Sequence, residues 1–248
     1  MMSDNTTLLD DMYRLRDFIL NSNICPDIGP LNRLISKLQA NINSDTREKF
    51  EYSLDDLVFI LNEKCGTICP TQITPKDSPI EIHLELILKS EGPYEFSKIK
   101  ELSGQLRLKA EWLNEGVEDV ELKTSHSAWH FDYHVPKTGD GVNSFAHPQF
   151  HLQNGGNKLT DNLNDYGELM ILDAPRLPLP PMDVILAIDF IISNFFGSIW
   201  QQALSDSEYI DVVKRAQEAW WKPYYEGISQ HWSNNGVGIS SSLIPNLL

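Results

Sequence analysis

Apolar residues recur at two different spacings along this chain, and the change from one to the other sets the architecture it predicts. In the N-terminal stretch the spacing is helical. Leu8, Met12, Leu15 and Ile19 share one helical face, and Leu31, Leu34, Ile35 and Leu38 share another, with Pro26, Gly29 and Pro30 between them. A third helix is predicted from Asp45, which makes a capping-box pattern with Glu48, through Phe50, Leu54, Leu57, Val58 and Leu61, to a stop at Lys64–Gly66. Residues 1–66 are therefore expected to be a helical N-terminal region, a small bundle or a docking surface. The three-proline run 67–79 is expected to be a linker.

From residue 80 the period becomes two. Ile80, Ile82, Leu84, Leu86 and Leu88 alternate with Glu81, His83 and Glu85, and Leu106, Leu108, Ala110 and Trp112 alternate with Gln105, Arg107, Lys109 and Glu111. Such alternation predicts half-buried strands of an antiparallel sheet with one wet face, with a turn at Asn114–Gly116. In the third strand Val120, Leu122 and Thr124 occupy even positions, whereas beyond them the aromatics Trp129, Phe131 and Tyr133 are odd and His126, His130, Asp132 and His134 even. Either a bulge near Ser125–Ser127 exchanges the faces, or the strand runs on with the histidines against the covered side. The bulge costs less, because a buried ionisable row must be bonded throughout. A further strand is expected around Phe150 and Leu152, with Gln149, His151 and Gln153 on its other face, then a turn at Asn154–Asn157 and another strand at Glu168–Leu172.

The four prolines of residues 173–181 predict an extended connection. Met182–Phe196 is apolar nearly all round and reads as the helix that covers the sheet, with Asp183 in its first turn and Asp189 in need of a partner such as Arg176 or a histidine. Ser205-x-x-Glu208 is a capping box for a last helix that Pro223 should limit. The fold class is thus α+β: a helical N-terminal segment, then an antiparallel sheet of four or five strands covered by an apolar helix. The α+β domain is expected over 80–226 and a loose tail over 227–248.

Charge and cysteine content narrow the function classes. The formal net charge is −15, and with no run of Lys or Arg the chain is not expected to bind nucleic acid. Cys25, Cys65 and Cys69, an odd number with no export signal ahead of them, predict free thiols in a reducing compartment, hence a soluble cytoplasmic protein away from membranes. Met182–Phe196 is too short to span a bilayer.

The chemistry-bearing residues concentrate between 126 and 156, where five of the seven histidines fall: His126, His130, His134, His147 and His151. His130-x-Asp132-x-His134 puts three ligand types on one strand face, about 6–7 Å between successive positions. If 128–135 pairs with 149–154, His151 joins that face. Imidazole and carboxylate suit zinc, iron or manganese, so His130, Asp132, His134 and His151 are candidate metal ligands, with His147 in the adjoining loop. No phosphate loop, nucleophile elbow or cysteine–histidine pairing occurs, and no catalytic residue is assigned.

The order of pieces also resembles a known family. An antiparallel meander, then His147–Pro148–Gln149, an irregular segment, a Pro-rich approach to PPMDVILAIDFIIS and an aromatic-rich last helix are similar to the ubiquitin-conjugating enzyme and RWD superfamily. The resemblance covers roughly residues 80–226. The family's enzymes carry His-Pro-Asn before a catalytic cysteine, and this chain has no cysteine beyond Cys69. The resemblance therefore implies a variant lacking the catalytic cysteine, which binds partners without thioester transfer. Two function classes remain open: a non-catalytic adaptor of an intracellular multi-protein system with a protein partner, and a metal-dependent hydrolase using the histidine cluster.

Overall fold

The computed structural model describes residues 5–43, 49–61, 79–92, 94–114, 121–133, 149–155 and 177–235. Two helices, α1 (Asn5–Ser22) and α2 (Gly29–Asn43), precede β1 (Lys49–Leu61), β2 (Ile80–Glu91), β3 (Ile99–Asn114), β4 (Glu121–Tyr133), β5 (Phe150–Asn154) and β6 (Leu177–Pro178). Three helices follow, α3 (Val184–Phe195), α4 (Gly197–Ala203) and α5 (Ser207–Asn235). The strands form one antiparallel sheet in chain order, β1 to β6. The α+β architecture with an apolar covering helix is the expected one, with six strands in place of four or five.

The third N-terminal helix is a correction: residues 49–61 form β1. Phe50, Tyr52 and Leu54 point to the core, and so do Leu57, Phe59 and Leu61. Between the two triplets the register against β2 shifts, and Asp56 adopts φ +47. One extra residue in the strand exchanges its faces. The resulting apolar spacing of Phe50, Leu54, Leu57 and Leu61 imitates a helix. The segment expected as a linker lies mostly among residues 62–78, outside the described ones, and the strands on either side of it are neighbours in the sheet.

The bulge expected at Ser125–Ser127 is absent: β4 pairs with β3 without a break from Asn114↔Glu121 to Leu102↔Tyr133. No exchange of faces is needed, because the even positions never belonged to the core; Leu122 is 62% exposed. Every odd residue from Ser125 to Tyr133 shares the inner face with Leu102, Gly104, Leu106, Leu108 and Ala110. Phe131 and Tyr133 are buried, and Trp129 packs half-buried against the same core. Phe131 stands opposite Gly104, and a Cβ at Gly104 would overlap the ring carbons Cε2 and Cζ. That glycine is the space the ring occupies.

Helix α3 covers the inner face and is buried from Val184 to Asp189. Asp183 is its N-cap, accepting from the Leu186 N–H at 2.9 Å. The Tyr94 hydroxyl donates to the same carboxylate, the Trp220 indole donates to Tyr94, and the Val184 N–H donates to the Tyr52 hydroxyl at 3.4 Å. One buried polar chain thus ties β1, the 3-10 turn Phe96–Lys98 region, α3 and α5 together. Asp189 accepts from the Tyr209 hydroxyl at 2.8 Å, a partner the sequence did not suggest, and Arg176 lies outside the described residues. Asp11 on α1 receives three short N–H contacts from Arg215 on α5, at 2.6–3.1 Å.

The last helix also departs from expectation. Its N-cap is Asp206, which accepts from Glu208 and Tyr209 N–H at 2.9 and 3.1 Å, so Ser205 is not the cap. It runs through Pro223 to Asn235, taking in the first part of the expected tail. Proline removes one helical hydrogen bond, but Trp220 and Tyr224 are both buried either side of it, and their packing keeps the helix continuous. Residues 236–248 lie outside the described ones.

Two outcomes test these arrangements. Gly104→Ala should destabilise by about 1–3 kcal/mol through overpacking and by much less in a Phe131→Ala background, a coupling that urea unfolding of the double-mutant cycle measures. Burial pushes the Asp183 carboxyl up to about 6 from 3.8, against the lowering effect of its hydrogen bonds from Leu186 and Tyr94. Between those values the folded protein keeps a proton that the unfolded chain releases. The contribution to stability is full below about pH 4 and lost as pH rises through about 6. Wild type should therefore lose stability relative to Asp183→Asn across that window; parallel pH profiles would contradict it.

Candidate functional site

On the outer face of the sheet, the hairpin of β4 and β5 brings His130, Asp132 and His151 together. Asp132 pairs directly with His151, and His130 sits one same-face position away, opposite Gln153. One ligand atom from each of the three lies within 4.8 Å of the others. His130 Nε2 is 3.5 Å from Asp132 Oδ2, and the two imidazole rings stand edge to face with centroids 5.8 Å apart. Two atoms bound to one ion at about 2.1 Å are separated by roughly 3.0–3.4 Å, so the histidine–aspartate spacing is already near that of a shared ion. These three residues can hold a metal. His134 and His147, the other two candidate ligands, lie outside the described residues.

The local sequence explains this placement. Alternation in WHFDY sends Trp129, Phe131 and Tyr133 inward, where Tyr133 stacks on Phe150 at 4.7 Å and Phe150 meets Phe96 and Tyr224. The aromatic packing fixes the register, and the register places His130, Asp132 and His151 opposite. The three side chains therefore stand on a backbone held from beneath, as a preorganised site requires.

This face is polar yet covered. His151, Gln153 and Gln149 are buried, His151 and Gln153 to 3% exposure. Among the described residues, buried side-chain atoms without a hydrogen bond concentrate here: Gln105 Oε1, His126 Nδ1, His130 Nδ1 and Gln153 Oε1. Each such group costs about 1–3 kcal/mol when nothing satisfies it. Several on one face make it suited to a polar ligand. His126 has its proton affinity lowered, first by burial and then by Lys109 and Arg107.

A second group on the same face was not anticipated from the sequence. The bulge in β1 turns Asp56 toward β2, where its Oδ1 lies 2.8 Å from His83 Nδ1; Glu81 Oε2 lies 3.3 Å from His83 Nε2. Arg107 on β3 reaches both, 3.3 Å from His83 Nδ1 and 3.8 Å from Asp56. His83 appears in the sequence only as one wet position of an alternating strand. The signal that marks it is the Asp55–Asp56 pair, polar in the middle of an apolar run.

Elsewhere Cys25 is buried and donates to the Asp27 carbonyl, and burial pushes its thiol up to about 11, which leaves it a poor nucleophile. Cys65 and Cys69 lie outside the described residues. No helix among the described residues is long and apolar enough to cross a membrane. Comparison of the chain with protein-family models, curated proteins and solved structures returned no match.

Adjacent residues on opposite faces provide the test of this geometry. In chelator-treated protein, Phe131→Ala should destabilise by about 3–5 kcal/mol, whereas His130→Ala should change stability by less than about 1 kcal/mol, since its Nδ1 makes no bond. Thermal melts of the two variants decide it. Greater damage from His130→Ala would mean that the imidazole is part of the packed interior.

Proposed function

We propose that the protein binds a divalent transition metal through His130, Asp132 and His151 and acts as a metal-dependent hydrolase at that site. The observation that carries this reading is the convergence of three ligand atoms within 4.8 Å on a rigid hairpin. Two imidazoles and one carboxylate are the donor set of many catalytic zinc sites, and three protein ligands leave a coordination position for water or substrate. Zinc, iron and manganese all accept such donors. The bound ion would supply a water acidified toward neutral pH. The chain's own residues hold and orient the ion, and their covered position limits access of bulk water.

The adaptor reading rests on the missing cysteine, the absence of any standard catalytic motif and the amphipathic N-terminal helices as a docking extension. Leu8, Met12, Leu15 and Ile19 of α1, and Leu31, Leu34, Ile35 and Leu38 of α2, are buried in the common core, so their apolar faces are not offered to a partner. No observation favours that reading, or a role drawn from the ubiquitin-conjugating resemblance, over the metal site.

Elemental analysis of the purified full chain is the direct test. One zinc, iron or manganese per chain is expected in wild type, falling well below stoichiometric in His130→Ala, Asp132→Asn and His151→Ala. Iron as the bound metal would move the proposed chemistry from hydrolysis toward oxygen activation. Metal-free wild type that takes up none of the three ions on dialysis would end the proposal.

A further inference from the structure

The cationic groups beside the histidine cluster have no role in holding the metal. Along β4 the outer face runs Asp132, His130, Ala128 and His126, and across it on β3 stand Ser103, Gln105, Arg107 and Lys109. Arg107 is therefore diagonal to both His130 and His126, about 8 Å away between α-carbons given strand spacings of roughly 4.8 Å across and 6.8 Å along. Only the methyl of Ala128 stands between the two imidazoles on their strand.

We infer that Arg107 and His126, with Lys109 beside them, form an anion subsite that holds a phosphate group, so that the substrate of the neighbouring centre is a phosphate ester. The identification of that substrate rests on the metal reading; the anion subsite does not. One terminal nitrogen of Arg107 faces His83 and Asp56, which holds the guanidinium in place. Its other nitrogens make no hydrogen bond to described residues, leaving a fork of donors suited to phosphate oxygens. His126 Nδ1 is buried without a partner and can donate to an oxyanion as the tautomer carrying its proton there.

The charges around this strip are mixed, so the donors of Arg107 and His126 carry the inference. Burial first, and then Lys109 and Arg107, lower the proton affinity of His126, while Asp56, Glu81 and Glu111 stand beside the two cations. Lys109 is paired with Glu111 at 2.8 Å, which leaves Arg107 as the cation with free donors. The acceptor atoms Gln105 Oε1 and Gln153 Oε1 flank His130 in the same row. They match hydroxyl or amide donors on the organic part of such an ester.

Isothermal titration of the full chain with inorganic phosphate, with and without bound manganese, tests the inference. Wild type should bind phosphate, and Arg107→Gln should weaken it at least tenfold with the metal content unchanged. Because Arg107 also touches Asp56 and His83, its variant needs a check that it folds. His126→Gln, which breaks no hydrogen bond of that imidazole Nδ1, is the second variant and should weaken binding by a similar direction and lesser extent. Equal phosphate affinity in wild type and both folded variants would overturn the subsite. So would metal-loaded wild type that ignores phosphate, and that result leaves the metal reading standing. Phosphate binding that depends on Arg107 in a protein that takes up no metal supports the subsite and ends the metal reading instead.

Discussion

Strict alternation of side chains along β4 is the constraint on which the rest of this structure depends. A single strand presents Trp129, Phe131 and Tyr133 to one side and His126, His130 and Asp132 to the other. Burial of aromatic rings, each worth roughly 2–3 kcal/mol, decides which side is which, and the polar row follows without any preference of its own. The core does not merely support the site. It selects the site, because slipping the register by one residue would turn the histidines into the aromatic core and the rings onto the polar face.

Polar groups inside the molecule serve a different end. Asp183, Tyr94, Trp220 and Tyr52 connect elements distant in the chain, as do Asp189 with Tyr209 and Asp11 with Arg215. Apolar contacts would tolerate small rotations of α3 and α5 against the sheet. Directional bonds to buried carboxylates do not, since a lost partner would leave a desolvated charge. These pairs therefore set the helix orientations, while the apolar residues around them supply most of the burial.

How much of this was legible in the sequence varied with how local its cause is. β2 alternates throughout, and β3 does so from Leu102 onward, past one irregularity at its start, so their pattern read correctly. In β1 one inserted residue at Asp55–Asp56 turned a period of two into an imitation of a helix, and only pairing with β2 resolves the ambiguity. The faces of β4 came out as expected although the reason did not: Leu122 was read as core, and it is exposed at the sheet's end. His130 and Asp132 could be placed on one face by spacing alone, and His151 by assuming a hairpin. The contact of Asp56 with His83 spans 27 residues and that of Asp11 with Arg215 spans 204. No local pattern records such distances, so these pairs could not be read in advance.

The edges of the sheet carry a consequence for behaviour at high concentration. An open strand edge offers unpaired N–H and C=O groups to any other chain, and long flat edges seed aggregation. Among the described residues one edge is β6, two residues long and ending in Pro178, which has no N–H to give. The opposite edge, β1, is bent by its bulge, carries two aspartates at that point, and has the Ile60 N–H already bonded to the Ile24 carbonyl at 2.8 Å. The irregularity that disguised this strand thus also keeps it from acting as a template. Straightening it by deleting one residue at Asp55–Asp56 would give a smoother sheet and a stickier protein.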